Sequence, residues 1–197
     1  MQNIETPKSF SEKLVLIDQV YLSNYNTFGP PRSADTYFLF FHNALPCYEN
    51  LEHWYNRKKF ENNVCPLCSY RAPETSIHLF LCVTWIPLWH FVIQTLSPLI
   101  NYTSISELFL PTKQHKHRRF VNTFVFATMN KIWKARNEKI FEGKDPDVPK
   151  ILETIKYEVK NTFDQIFLSH SDSHSMLRFL KPFRPVIQVT LFIIIHI

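Results

Sequence analysis

The stretch of sequence that decides the fold is residues 64–82, which read VCPLCSYRAPETSIHLFLC. It places Cys65, Cys68, His78 and Cys82 in the pattern Cys-x2-Cys-x9-His-x3-Cys. A Cys-x2-Cys turn points two thiolates at one centre, and a helix would put His78 and Cys82 on the same face. Zn²⁺ takes four nitrogen or sulfur ligands in a tetrahedron. Because protein groups fill all four positions, the pattern predicts a structural Zn²⁺ site with no open position to activate water.

Two other interpretations of the cysteines remain open. A thioredoxin-like redox pair at Cys65 and Cys68 would need a βαβ context, which the sequence does not show. The other is a chance cluster of buried cysteines. Four cysteines in an intracellular chain favour metal ligands over disulfides. Cys47 lies outside the spacing, and we interpret it as a buried apolar residue.

Glycine is scarce, since the 197 residues contain only Gly29 and Gly143. Phosphate-cradling loops, dinucleotide fingerprints and the nucleophile elbow of the hydrolases all need closely spaced glycines, so the sequence excludes them. Barrels and sandwiches with many hairpins are disfavoured for the same reason. Gly143 follows a long helical pattern, where it fits a helix cap.

Hydrophobic periodicity predicts a mainly α fold, with a small zinc-stapled turn-and-helix module within a helical domain. Pro73-Glu74 fits a helix start. The longest pattern has an apolar face formed by Phe124, Thr128, Ile132 and Ala135, and a Lys134–Glu138 ion pair is expected on its other side. The predicted helical segments are residues 35–44, 51–60, 77–83, 88–96, 118–141 and 151–168.

The positive charge is concentrated in one part of the chain. The net charge is +5, yet residues 101–144 carry nine basic and three acidic residues, while the remainder carries 13 basic and 14 acidic. Such a concentration favours a polyanion partner. A solvated helix face explains the charge alone equally well.

Three blocks in order resemble the zinc-binding domain that follows the reverse transcriptase of non-LTR (LINE-like) retrotransposons. Residues 65–82 with Trp89 form the zinc block, residues 37–46 (YFLFFHNALP) are similar to its helical lead-in, and residues 132–141 (IWKARNEKIF) resemble its Trp-Lys-x-Arg-Asn helix. The family usually places four residues between the histidine and the last cysteine, whereas this chain has three.

The resemblance implies a nucleic-acid-binding accessory module, here a fragment or relic without its polymerase. Its metal ligands would be Cys65, Cys68, His78 and Cys82. The chain lacks the Tyr/Phe-x-Asp-Asp motif of the polymerase, so we do not expect an enzyme. The expected partners are RNA or DNA, bound with low sequence specificity, and a reverse transcriptase polypeptide. We expect neither a small-molecule substrate nor a membrane partner.

Basic and aromatic side chains supply the candidate nucleic-acid contacts, because cations neutralise phosphates and aromatic rings stack on bases. Trp85 and Trp133 are better explained as core residues. The alternative function is a structural or protein-interaction zinc module without nucleic-acid binding of its own. The candidate contacts are Lys113, Lys116, Arg118, Arg119, Lys131, Lys134, Arg136 and Trp54.

The sequence divides into four segments: an N-terminal extension (1–34), the zinc-binding domain (35–100), a basic connector with the long helix (101–144), and a C-terminal helix with an apolar tail (145–197). The first ten residues lack an apolar secretory core, so an intracellular location, in nucleus or cytoplasm, is expected. The tail at residues 186–197 is too short to span a bilayer.

Overall fold

The computed structural model describes residues 31–55, 63–97, 105–109 and 118–169. The predicted mainly α fold is confirmed, and the only β pairing in these four ranges is one bridge between Val64 and Pro73. The predicted tail at 186–197 lies outside them. The helices are α1 (Pro31–Phe41), α2 (Tyr48–Tyr55), α3 (Ser76–Leu81), a 3₁₀-helix (Val83–Trp85), α4 (Ile86–Leu96), a second 3₁₀-helix (Ile105–Phe109), α5 (Arg118–Glu142) and α6 (Val148–Ser169).

Helix α5 is the centre of the fold, because α1, α3, α4 and α6 all pack against it. The predicted apolar face of Phe124, Thr128, Ile132 and Ala135 is buried. Burial extends beyond that face, and residues 123–130 are buried without interruption. An amphipathic stripe is sufficient for a helix that packs on one side. A helix with neighbours on several sides instead buries polar residues such as Asn130, whose side chain binds Ser33 and Thr36 of α1.

The turn between α5 and α6 folds the two helices against each other. The predicted glycine cap is confirmed: Gly143 has φ +70°, and its N–H donates to Lys139 O at 3.2 Å. The side chain of Asp147 then caps α6 by accepting from Lys150 N at 3.0 Å. The prediction of a Lys134–Glu138 ion pair was wrong, because neither residue forms a salt bridge in the described structure.

The segment Ser76–Leu96 is apolar and long enough to cross a membrane by length and composition alone. In the structure it is interrupted at Cys82 between two helical stretches, and 44% of the apolar window is buried. Leu79, Phe80 and Trp89 belong to a hydrophobic core that also contains residues of α1, α5 and α6. We therefore describe the segment as a core element that carries part of the candidate site.

Candidate metal centre

The turn that carries the first two cysteines is held by short antiparallel pairing. Cys65 N donates to Ala72 O at 2.8 Å, and Glu74 N donates to Asn63 O at 2.7 Å. The chain reverses without glycine, and Arg71 instead takes a positive φ of 51°. Backbone hydrogen bonds therefore fix the approach of residues 63–65 to residues 72–74, and this brings the cysteine turn close to the start of α3.

Helix α3 positions His78. The predicted start at Pro73-Glu74 is corrected: Pro73 pairs with Val64, and the helix begins at Ser76 with Thr75 as its N-cap. Thr75 Oγ1 accepts from His78 N at 2.9 Å, so the cap holds the histidine backbone directly. Pairing with residues 63–65 keeps residues 72–74 out of the helix. Thr75 then accepts from one of the free N–H groups of the first turn, so the helix starts after it.

Cys82 lies immediately after α3 rather than within it, at the C-cap with φ −55° and ψ 139°. The expectation that one helical face would carry both His78 and Cys82 is thus only partly met. The chain leaves the helix at Cys82, and Thr84 holds the new direction by donating to Leu67 O at 2.9 Å. Thr84 also lies 3.5 Å from Cys82 Sγ. Thr84 was not predicted from the sequence. The only feature that could have indicated it is a hydroxyl group two residues after Cys82.

The four predicted ligands come together in space. One ligand atom from each of Cys65, Cys68, His78 and Cys82 lies within 4.8 Å of the other three. The Cys65 and Cys82 sulfurs are 3.9 Å apart, and Cys68 Sγ is 3.6 Å from His78 Nε2. Ligands bound at about 2.3 Å (S) and about 2.0 Å (N) around a tetrahedral centre would be separated by roughly 3.5–3.8 Å. The arrangement can therefore hold a metal ion.

Cys47 stays outside this set, as predicted. It is fully buried, and its sulfur lies 3.4 Å from Ser76 Oγ rather than near the other cysteines. Ser76 in turn donates to Asn43 Oδ1 at 3.0 Å. Cys47 therefore belongs to the contact between α3 and the segment that joins α1 to α2.

A hydrogen bond joins the two buried sulfurs of Cys65 and Cys82. Cys65 donates its proton toward Cys82, and this hydrogen bond lowers the pKa of Cys82 to about 5. The same hydrogen bond, together with burial, raises the pKa of Cys65 above its usual range. Since a metal ion binds both cysteines as thiolates, binding would release the proton that the two sulfurs share.

A buried ion pair lies beside the ligand-bearing segment. Arg136 donates from Nε to Glu74 Oε1 at 2.8 Å and from Nη2 to Glu74 Oε2 at 2.6 Å. Their side chains are only 3% and 0% exposed. Arg136 was expected to contact nucleic acid. We correct that assignment, because a buried guanidinium held by a carboxylate is not presented to a phosphate.

The other candidate nucleic-acid residues are distributed differently. Lys131 forms a salt bridge of 2.5 Å with Glu158, while Lys134 is exposed on α5. Trp85 is buried, as expected. The remaining candidates lie outside the described residues or have side chains that are not described: Lys113, Lys116, Arg118, Arg119 and Trp54.

Removing the Thr75 cap should lower the free energy of unfolding by a measurable amount. Thr75→Ala is expected to cost about 1 kcal/mol of stability, because the N–H of His78 loses its acceptor. Thr75→Ser keeps the hydroxyl and should retain nearly all of that stability. Urea unfolding of the two variants beside the native chain measures the difference. Equal midpoints for the alanine variant and the native chain would contradict the role of the cap.

No protein-family model, no curated protein and no solved structure matches this chain.

Proposed function

We propose that this chain is a zinc-dependent nucleic-acid-binding module, similar to the accessory zinc-binding domain of LINE-like retrotransposon proteins. The observation that carries the proposal is the convergence of Cys65, Cys68, His78 and Cys82 within 4.8 Å. It supports a metal centre at the block of sequence that carries the resemblance. RNA or DNA would be the partner, with little sequence preference, inside the cell.

Zinc is the metal that this donor set favours. Three thiolates and one imidazole form a soft set, and soft sets select Zn²⁺, Cu(I) and iron–sulfur clusters over Mg²⁺ or Ca²⁺. A tetrahedral site filled by protein ligands is typical of structural zinc. Cys65 and Cys82 are buried, which suits a structural role. We propose that zinc fixes the cysteine turn against α3 and that the chain has no catalytic activity.

Internal ion pairing narrows the surface that could bind phosphates. Within residues 118–144, four basic side chains of α5 and the following turn have acidic partners, in the pairs Lys131–Glu158, Arg136–Glu74, Lys139–Asp145 and Lys144–Glu142. Charge that is already balanced attracts a polyanion weakly. Lys134, which is exposed, forms no such pair among the described residues.

We therefore place the main phosphate contacts at the basic run before and at the start of α5. Lys113 and Lys116 precede the helix, and Arg118 and Arg119 open it. No acidic residue occupies the first turn of α5. The positive end of the helix dipole consequently adds to the arginine charges instead of being offset by a carboxylate.

Charge reversal tests this placement. Lys116→Glu, Arg118→Glu and Arg119→Glu together are expected to weaken binding to single-stranded RNA at least roughly tenfold near 100 mM salt, since about three phosphate contacts are lost. The slope of log K against log salt should fall in magnitude by about 0.7 for each contact removed, the value for a single strand. Fluorescence anisotropy at several salt concentrations measures both quantities.

The matched control changes the same amount of charge elsewhere. Lys139→Glu, Lys144→Glu and Lys150→Glu lie at the opposite end of α5, in the turn that follows it and at the start of α6. They should leave the affinity and the salt slope close to native values. If both triple variants lose the same affinity, net charge rather than this surface governs binding, and the assignment fails.

A second function is favoured by a separate observation. Three apolar side chains are exposed on the segment that carries His78 and Cys82: Ile77 (62%), Ile86 (52%) and Val83 (42%). Exposed apolar residues of this kind are typical of contacts between proteins. A zinc module that binds only another protein, such as a reverse transcriptase polypeptide, would show no retention on heparin at moderate salt, whereas the nucleic-acid module would be retained.

A further inference from the structure

The Glu74–Arg136 ion pair joins two distant parts of the chain. The residues are 62 positions apart and form two hydrogen bonds in a fully buried setting. The guanidinium lies over the rings of Tyr48 and Trp133, with its carbon 5.3 and 5.1 Å from their centroids. A third hydrogen bond runs from Arg136 Nη1 to Asn137 Oδ1 at 3.1 Å. Arg136 is therefore fixed on several sides and cannot reorient without repacking its surroundings.

Glu74 also holds the beginning of α2. Its Oε2 accepts from Tyr48 N at 2.9 Å, and its backbone carbonyl accepts from Glu49 N at 3.3 Å. The carboxylate of Glu74 thus accepts hydrogen bonds from two helices, α2 and α5. The backbone of Glu74 belongs to the ligand-bearing turn, residues 63–75, which carries Cys65 and Cys68 and leads into α3. Three elements meet at this residue.

The position of Glu74 in the chain links this junction to the metal ligands. Its N–H bonds Asn63 O, which pairs the segment before Cys65 with the segment before α3. The next residue, Thr75, caps the helix that carries His78. A displacement of Glu74 would therefore move ligands on both sides of the site.

We propose that Arg136 is a positioning residue for the metal site, and that docking of α5 and binding of the metal strengthen each other through Glu74. Arg136 touches no ligand; it fixes the carboxylate, which fixes the turn and the cap. By linkage, whatever factor the docked helix adds to the metal affinity, the metal adds to the docking equilibrium. This inference rests on the metal-binding part of the proposed function.

The test measures zinc affinity in the full chain, by competition with a chromophoric chelator. Arg136→Met is expected to raise the zinc dissociation constant about 10- to 100-fold, the usual effect of losing a group that orients metal ligands. At saturating Co²⁺, its absorption spectrum should also depart from that of the native chain, because the ligand geometry is no longer held. Glu74→Gln combined with Arg136→Met should recover part of the affinity, since the unpaired buried charge no longer drives the turn out of the core.

The matched control is Ile132→Ala, one helical turn before Arg136 and fully buried. It opens a cavity in α5 without touching Glu74, so it should lower stability and leave zinc affinity unchanged. If Ile132→Ala weakens zinc binding as much as Arg136→Met does, the effect is general destabilisation and the coupling is overturned. If Arg136→Met does not fold, the zinc affinity of Arg136→Lys tests the coupling instead. A single ammonium group cannot replace the two-pronged contact, so native zinc affinity in that variant overturns the coupling.

The outcomes separate the two proposals. A native chain that binds neither zinc nor cobalt overturns the proposed function and the coupling with it. Native binding, together with unchanged affinity and an unchanged cobalt spectrum in Arg136→Met, overturns the coupling alone and leaves the zinc module standing.

Discussion

Replacing Cys65 and Cys82 together with serine is expected to abolish zinc binding and to cause the largest stability loss of any change considered for this chain. Structural zinc sites supply an apparent binding free energy of about 10–16 kcal/mol in isolated zinc fingers. Here the surrounding helices share one core with the site, so part of the fold should persist. We expect a loss of several kcal/mol, which for a domain of this size lowers the melting temperature by roughly 10 °C or more.

The measurement pairs zinc stoichiometry by mass spectrometry with thermal unfolding followed by circular dichroism. Cys47→Ala is the matched control, because it removes a buried cysteine that lies beside Ser76 and outside the ligand set. That variant should keep one zinc ion per chain. Adding a chelator to the native chain should reproduce the melting temperature of the double serine variant. A native chain that contains no zinc and melts at the same temperature with and without chelator would contradict the zinc site.

Arg136→Met should have the second-largest effect. It is expected to lower the free energy of unfolding by about 3–5 kcal/mol, because it leaves the buried Glu74 carboxylate without its counter-ion. Adding Glu74→Gln should recover most of that loss, since the amide keeps an acceptor for the Tyr48 N–H and carries no charge. Urea unfolding in excess zinc measures the two variants under the same metal saturation.

Lys131→Met provides the comparison for this prediction. It breaks a salt bridge from the same helix, but to Glu158 and with side chains 17% and 20% exposed. A partly solvated pair contributes about 0–1 kcal/mol, so this variant should remain close to native stability. Losses of similar size for Lys131→Met and Arg136→Met would show that burial does not distinguish the two pairs.

The sequence was sufficient to predict the features that depend on local spacing. The intervals between Cys65, Cys68, His78 and Cys82 predicted the ligand set, because metal ligands must converge and short intervals restrict how they can do so. The periodicity of residues 118–141 predicted α5, and Gly143 its end, since helical faces and positive-φ caps are encoded within a few residues.

Two predictions made from local spacing were wrong. The start of α3 moved from Pro73 to Ser76 because Val64 pairs with Pro73 and Thr75 caps the helix. Lys134 and Glu138 have helical pair spacing, yet neither forms a salt bridge in the described structure. The uninterrupted burial of residues 123–130 could not be predicted from the pattern of α5 alone, because it depends on how many helices surround that part of α5.

The sequence by itself determined which four residues come together as a possible metal site, that the chain is mainly helical, and that its basic residues cluster between 101 and 144. Only the tertiary structure decided which of those charges are buried and which are paired with acidic residues. Arg136 appears in the sequence as one more cation of that cluster, but Glu74, 62 residues away, holds it in the core beside the ligand-bearing turn. The physical reason is that a charge acts through what lies within a few ångströms of it, and only the folded chain sets those distances.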